Sequence, residues 1–572
     1  MSARMSPLKK TASVAGLILA AVICVVLYAS MHLTFKARTL DVDPEARLRA
    51  LRSAERLFPW NEDCFEQAGA TLLGRASENL SDSRSIQADL KEARADLRRA
   101  LKLNPGSAAA HFYYAKTLDL MKFLGTAGRE NPFPEYEKAA RLAGPNRSLI
   151  RDIGTILLGR WEVLSESEKD FTQALLQKGL LLGDMMGFQE VLHIWDLNIR
   201  DDAVMQKIIP ESPTLLRTYA QFLADKGLSL EARHRTLDRA ERLEYEQAWK
   251  EAETGQNLMK AGEIPEALQH LSGCLSILKK IRFFGQLTDE PNIGAEVEKK
   301  AVLMKAVSLD LAKAKLEENR NLAEAQEPLR AYLALESDFN QITALETYLK
   351  ELNIIPETDS DRQIKNIRQL SFDILLMFKL HKYRQIISLG SQLQGSVLVA
   401  NPSANKDLSE IFRIVGDSYL KLDFVYESEA FYQRALELSP GDPEVLFRMK
   451  KYYERRNETD KLSEVDRLLT GVLSEGVILS QPQLLPKGAP FEQTLLMNVS
   501  DKKVRLDLQF ETLPENPRPL VSIYLNDRVY WEQYFPGGSV SLELSTEEGF
   551  NRLQVVSVNG PVSLAKVAFA RL

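Results

Sequence analysis

The stretch from Ser409 to Asp442 most constrains the fold, because small and aromatic residues recur in it at the spacing of two packed helices. Small residues let two helices approach closely, and aromatic residues fill the seam between them. A proline that closes the stretch cannot continue a helix and therefore ends the unit. The residues predicted to pack this repeat are Phe412, Gly416, Tyr419, Ser428, Tyr432, Ala435 and Pro440.

This spacing resembles that of a tetratricopeptide repeat, a helix–turn–helix unit of about 34 residues. Similar but degenerate offsets occur around Gly255 and Ala267. One such hairpin cannot bury its own apolar face, so each unit stacks on the next. The resemblance therefore implies a mainly α fold, with a tetratricopeptide-like α-solenoid of helix hairpins over residues 42–475.

The family holds peptides or protein surfaces in the concave groove that its stacked hairpins leave. Arg413, Asp417 and Lys421 match groove positions of the best repeat, which makes them candidate contacts. Some family members bind a C-terminal carboxylate there, but Asp417 would repel one, so we do not expect that mode. The alternative is that the three residues form a solvated charged face.

The segment from Thr11 to Phe35 contains no Asp, Glu, Lys or Arg. Its apolar core would be about 30 Å long as a helix, which matches the hydrocarbon layer of a bilayer. We predict a transmembrane helix over residues 11–35 after a cytoplasmic tail of residues 1–10. A cleaved signal peptide is the alternative, but Leu27 is too large for its cleavage site. Ile23 before Cys24 argues against a lipoprotein signal.

Basic residues lie on both sides of this segment, so the positive-inside rule gives little contrast. A short basic tail before an apolar segment is typical of a bacterial signal anchor. We therefore expect a single-pass protein of the inner (cytoplasmic) membrane with most of the chain in the periplasm.

The periodicity changes after the helical region. Prolines and a glycine between Gln481 and Pro490 predict a linker over residues 476–490. Alternation of apolar and polar residues then predicts an antiparallel β-sandwich over residues 491–572. The seven expected strands are Phe491–Val499, Val504–Glu511, Leu520–Leu525, Val529–Phe535, Val540–Leu544, Leu553–Val558 and Ser563–Ala570.

The segments SIYLNDRVYW, GFNRLQVV and VSLAKVAFARL resemble jelly-roll modules of the galactose-binding-like type. Tyr530, Trp531 and Tyr534 are candidate contacts of this module and could stack on a sugar ring. Strand alternation places Trp531 on the face opposite to the two tyrosines, so one of the two faces belongs to the core. Plain structural packing is the alternative interpretation.

Composition gives no sign of other chemistry. The net charge of −6 provides no basic footprint for nucleic acid. The six histidines and three cysteines show no metal-ligand spacing, and the sequence has no motif for catalysis or for a cofactor. Cys64 and Cys274 could pair in an oxidising compartment, or they could be free buried thiols.

These features favour a membrane-anchored scaffold or adaptor that binds partner proteins of a cell-envelope assembly and is not an enzyme. The alternative is an accessory factor in extracellular polysaccharide assembly or export, with a β-module that binds glycan.

Overall fold

The computed structural model describes residues 7–39, 43–78, 83–126, 130–180, 185–287, 293–355, 366–394, 404–473, 476–479, 482–497, 503–546 and 549–571. The chain divides into two compact units, Met1–Pro210 and Glu211–Leu572. The predicted fold class is confirmed: helix hairpins follow an apolar N-terminal helix, and two antiparallel sheets follow the hairpins.

The first unit consists of helices together with a 3₁₀ turn at Trp161–Val163. Its helices are α1 Pro7–Thr39, α2 Pro44–Leu57, α3 Glu62–Glu78, α4 Ser83–Leu103, α5 Ala108–Phe123, α6 Phe133–Leu142, α7 Arg147–Leu158, α8 Glu166–Gly179, α9 Met185–Asn198 and α10 Asp202–Ile208. Each helix from α1 to α7 packs on the next, α9 packs on α7 and α10 packs on α8.

Helix α1 is both the apolar helix and the first packed helix of this unit. By length and composition, Leu19–Thr39 could cross a membrane, with a mean hydropathy of 1.7. Its last turns pack on the next two helices: Ala37 is buried, and the Ser30 hydroxyl donates to the Ala54 carbonyl at 3.0 Å. The predicted transmembrane range therefore overlaps residues that pack in the hairpin array. The predicted array boundary at residue 42 lies outside the described residues.

The second unit begins with further hairpins and includes a 3₁₀ turn at Phe284–Leu287. Its helices are α11 Pro213–Asp225, α12 Leu230–Ala261, α13 Ile264–Leu278, α14 Ile293–Asn319, α15 Leu322–Leu335, α16 Phe339–Glu351, α17 Ile367–Lys379, α18 Tyr383–Gln394, α19 Asn405–Lys421, α20 Val425–Leu438, α21 Pro443–Arg456 and α22 Thr459–Leu473.

The turn between α20 and α21 shows how local sequence sets the helix ends. Pro440 lies two residues beyond Leu438, the last helical residue, and Gly441 takes a φ of +82°, which favours glycine. The Asp442 side chain then accepts the N–H of Glu444 at 2.9 Å, so it caps α21. Pro443 occupies the first helical position, where its missing N–H costs nothing.

The second unit ends in two antiparallel sheets that face each other across a shared apolar core. One sheet has the order β1-β9-β4-β7 with β2 also paired to β9, and the other has the order β3-β8-β5-β6. The strands are β1 Gly476–Leu479, β2 Gln483–Leu485, β3 Pro490–Met497, β4 Lys503–Glu511, β5 Leu520–Leu525, β6 Arg528–Tyr534, β7 Gly538–Ser545, β8 Gly549–Ser557 and β9 Val562–Arg571.

Two of these strands lie in residues 476–490, where the sequence predicted a linker. Strand β2 is only three residues long and lies between Pro482 and Pro486. It pairs with β9, and the buried Leu485 joins the sandwich core. Prolines are tolerated beside a short edge strand, because such a strand needs few backbone donors. The two sheets therefore begin before residue 491.

Candidate functional site

The repeat-packing residues meet between α19 and α20. A Cβ added at Gly416 would lie 2.7 Å from the Tyr432 ring, so the two helices cross where only glycine fits. The Ser409 hydroxyl donates to the Ala435 carbonyl at 2.9 Å across the same seam. The Tyr419 ring stacks on Phe431 with 5.3 Å between centroids.

The three predicted groove residues have different surroundings. Asp417 is buried and accepts the Tyr432 hydroxyl at 2.7 Å. Arg413 lies 3.3 Å from Asp417 and 3.2 Å from the Glu444 carboxylate. Lys421 is exposed at the end of α19. The structure thus brings Arg413 and Asp417 together in one ion-pair group, and it leaves Lys421 in solvent.

Arg413 also lines a cleft of about 770 Å³ between α15, α19 and the turn before α21. We call this the charged cleft, because both cationic and anionic side chains line it. Its charged lining residues are Arg330, Lys406, Asp407, Glu410, Arg413, Asp442 and Glu444.

An ion pair between α15 and α19 lies within the charged cleft. The Arg330 guanidinium donates to Glu410 at 2.8 Å and to the Ser371 hydroxyl of α17 at 2.6 Å. Ser371 in turn donates to Glu410 at 2.8 Å. Burial raises the pKa of Glu410, but the hydrogen bonds from Arg330 and Ser371 outweigh it and hold that pKa below its usual value. Glu410 is therefore an anion at neutral pH.

A second group of charges lies where strand β6 packs on helix α12. The Glu532 side chain is fully buried; Arg233 Nε donates to it at 2.7 Å, and His234 Nε2 lies 3.1 Å away. Ser522 of β5 also donates to this carboxylate. Burial alone would raise the pKa of Glu532, but Arg233 and these hydrogen bonds lower it to about 2.

Further contacts extend this interface between the sheet and the helices. The Tyr534 hydroxyl donates to the Leu223 carbonyl at 2.9 Å, and the Asn559 side chain donates to the Ala224 carbonyl at 3.2 Å. The Val529 N–H donates to the Arg282 carbonyl at 3.0 Å. The sandwich therefore packs on α11, α12 and the segment before Phe284, far from its own position in sequence.

Glu241 holds that segment in place. Its buried carboxylate accepts the backbone N–H groups of Arg282 and Phe284, which follow α13. Burial raises the pKa of Glu241 to about 7, although the two N–H groups act against the rise. This arrangement holds the Arg282 carbonyl where it accepts the N–H of Val529 in strand β6. The carboxylate of Glu241 is thus hydrogen-bonded by groups of the same chain.

The three aromatic candidates of the β-module do not share an exposed face. Tyr534 is 9% exposed and lies against α11. Tyr530 and Trp531 are partly buried and both pack on the sandwich core. The register of the β5–β6 pair shifts after Ile523, and this bulge breaks the strict alternation expected from sequence.

Sequence reasoning missed Arg330 and Glu410 in the charged cleft and Arg233 with Glu532 at the interface. The last pair is separated by 299 residues, so spacing could not join them. A signal did exist: Glu532 stands between aromatic residues in a strand, where a carboxylate needs a buried partner. In the described part of the chain, no group of three or more His, Cys, Asp or Glu side chains could hold a metal ion.

No family model and no curated protein matches the chain. Solved structures with a related backbone include Naa15/Naa10 bound to HypK-THB, at 16% identity and a TM-score of 0.24 over 77% of this chain. The chain spans 63% of the length of that protein.

Two others are the TPR domain of P58(IPK) and yeast Tom70. The former has 14% identity and a TM-score of 0.16, with 70% of this chain and 98% of that chain covered. Yeast Tom70 has 14% identity and a TM-score of 0.19, with 75% of this chain and 96% of that chain covered. TM-scores this low support no conclusion about function. The assignment of the fold therefore rests on the helices and sheets described above.

Proposed function

We propose that this chain is a membrane-anchored scaffold that binds partner proteins and performs no catalysis of its own. The charged cleft is the observation that carries the proposal. It lies between α15, α19 and the turn before α21, and the Arg330–Glu410 ion pair joins the two helices within it.

The charged cleft suits a polar segment of another protein that carries both signs of charge. Lys406 is exposed, and the Glu444 carboxylate is 56% exposed, so both can reach a partner. Charged groups of this kind set specificity and association rate more than raw affinity. Lys421, one turn beyond Asp417, extends the same contact along α19.

Helix α1 supports a location at the membrane. Its exposed apolar residues would anchor the chain in the inner membrane, with the hairpins and the sandwich in the periplasm. The partners would then be components of a cell-envelope assembly. Alkaline phosphatase fused after Leu572 should be active in this orientation, and an inactive fusion would reverse it.

A charge reversal in the charged cleft tests the proposal. The full chain, crosslinked in membranes, should capture a few stoichiometric envelope proteins. Lys406→Glu should remove at least one of them. Arg434→Glu makes the same change of charge on α20, outside the charged cleft, and should retain them. Equal loss in both variants, or no enriched partner in the unaltered chain, would contradict the proposal.

The alternative role in polysaccharide assembly or export gains no support from the β-module. Its stacking platform required free aromatic rings, and Tyr534 is used in the interface with α11. Binding of the full chain to a glycan array, lost on Tyr530→Ala, would revive this alternative.

A further inference from the structure

We infer that the turn Leu57–Asn61, between α2 and α3, lies in the interfacial layer of the bilayer that α1 crosses, with Trp60 as its anchor. The inference rests on the proposed membrane anchoring. It adds a second contact with lipid, made by the hairpin array itself.

The level of the turn along α1 is fixed by hydrogen bonds. The Asn61 side-chain amide donates to the Ser30 hydroxyl at 3.0 Å and to the Thr34 hydroxyl at 3.2 Å. Ser30 also donates to the carbonyl of Ala54, near the end of α2. The turn is therefore held beside residues 30–34 of α1.

That level coincides with the edge of the hydrocarbon layer. The cations nearest to the apolar segment are Lys10 and Lys36, so the segment is centred near Ile23. About 20 helical residues cross the hydrocarbon, about ten on each side of the centre, which places its edge near Leu33. The Arg38–Asp63 ion pair, with a separation of 2.6 Å, comes next along α1 and belongs to the aqueous side.

The turn has the chemistry of an interfacial anchor. Residues 57–61 read LFPWN and carry no charge. Trp60 is 68% exposed and Leu57 is 42% exposed, although a soluble surface would gain nothing from either. Tryptophan is enriched where lipid headgroups meet water, because its ring is apolar and its N–H still finds a hydrogen-bond partner.

An exposed stripe of α1 continues this apolar surface at the same level. Tyr28, Met31 and Phe35 follow each other at helical spacing and are each more than 60% exposed. The neighbouring face of α1 is the one that packs on α2. The bilayer is the occupant that we assign to this surface, because the stripe is continuous with the residues that cross it.

A fluorescent label at position 60 tests the inference in proteoliposomes that contain the full chain. Trp60→Cys, in a Cys24→Ser background, carries an environment-sensitive nitrobenzoxadiazole. Burial raises the pKa of both remaining thiols, Cys64 and Cys274, to about 12, so they should not react. Phe123→Cys is the matched control, since Phe123 is an 82% exposed aromatic of the same unit. Val22→Cys reports whether α1 is inserted.

We expect a blue-shifted emission at position 60 that is quenched by lipid carrying a nitroxide near its headgroup. Position 22 lies near the centre of the apolar segment, so its quencher is lipid carrying a nitroxide deep in the acyl chain. The label at position 123 should emit as in water and stay unquenched. If position 22 is quenched and position 60 behaves like position 123, the inference is wrong while the anchor stands. A blue-shifted but unquenched label at position 60 would also overturn it, because protein would then cover the turn. No quenching at position 22 would refute the membrane anchoring itself.

Discussion

Replacing Glu532 by Gln should separate the sandwich from α12. The carboxylate is fully buried and faces Arg233 and His234, so the neutral amide leaves buried cationic and polar groups without their anion. A pKa of about 2 in the folded chain, against an ordinary 4.5, corresponds to about 3 kcal/mol. Removing one partner of a buried ion pair generally costs about 3–5 kcal/mol. We therefore expect a loss of at least about 3 kcal/mol in the free energy that holds this interface together.

Hydrogen exchange on the full chain can measure this loss at the backbone amides of β5, β6, α11 and α12. Glu492→Gln is the matched control, because its ion pair with Arg552 is about half exposed and should contribute below about 1 kcal/mol. Changing Arg233→Met in the Glu532→Gln chain should recover part of the loss, since it removes the uncompensated cation.

The pH dependence of the same amides gives a second measurement. The pKa of Glu532 is lowered in the folded chain, so its contribution is fully present above pH 4.5. It should fall progressively as the pH drops toward about 2. Glu532→Gln should lose this dependence. If the amides of Glu532→Gln are as protected as those of Glu492→Gln and remain sensitive to acid, the reasoning is refuted.

Three further changes test other sites. Gly416→Ala should destabilise the α19–α20 pair by about 1–3 kcal/mol, because it overpacks the seam. Gly273→Ala is the control: nothing lies within 4 Å of the added Cβ, so it should stabilise α13 by up to about 1 kcal/mol. Hydrogen exchange measures both changes, and equal effects of the two variants would contradict the packing at Gly416. The pKa of Glu241 is raised to about 7, so its contribution to stability should fall as the pH rises from about 4.5 to 7. This trend has the opposite sign to that of an acid with a lowered pKa. In Glu241→Gln the thermal stability should no longer depend on the pH through this group across that range. Cys64 and Cys274 should react with a thiol reagent only after the chain is unfolded, and rapid labelling of the native chain would show that either thiol is accessible.

Local patterns in the sequence predict the elements of this fold well. Pro440 and Asp442 set the ends of α20 and α21 through backbone chemistry that acts over a few residues. The switch from helical to alternating periodicity predicts the change to strands. The exceptions are the short strands β1 and β2, because stretches of four and three residues carry too little pattern to indicate a strand.

The candidate sites depend on contacts that local patterns do not encode. Arg330 reaches Glu410 across 80 residues, and both belong to helices with ordinary polar faces. Strand alternation placed Tyr530 and Trp531 on opposite faces, but the bulge in the β5–β6 pair turns both toward the core. The sequence could not show that helices would cover β6, since that partner lies at a distance along the chain.

The interface between α12 and β6 also constrains the order in which this protein can mature. Arg233 leaves the ribosome 299 residues before its partner Glu532. At about 5–20 residues per second, the wait is roughly 15–60 seconds. During that time Ala220, Leu237 and Phe284, which finally pack with Val529 of β6, have no cover from the sandwich. An apolar surface that stays open for so long invites aggregation. A chaperone that covers these residues until the sandwich has been made would therefore protect the second unit from aggregation.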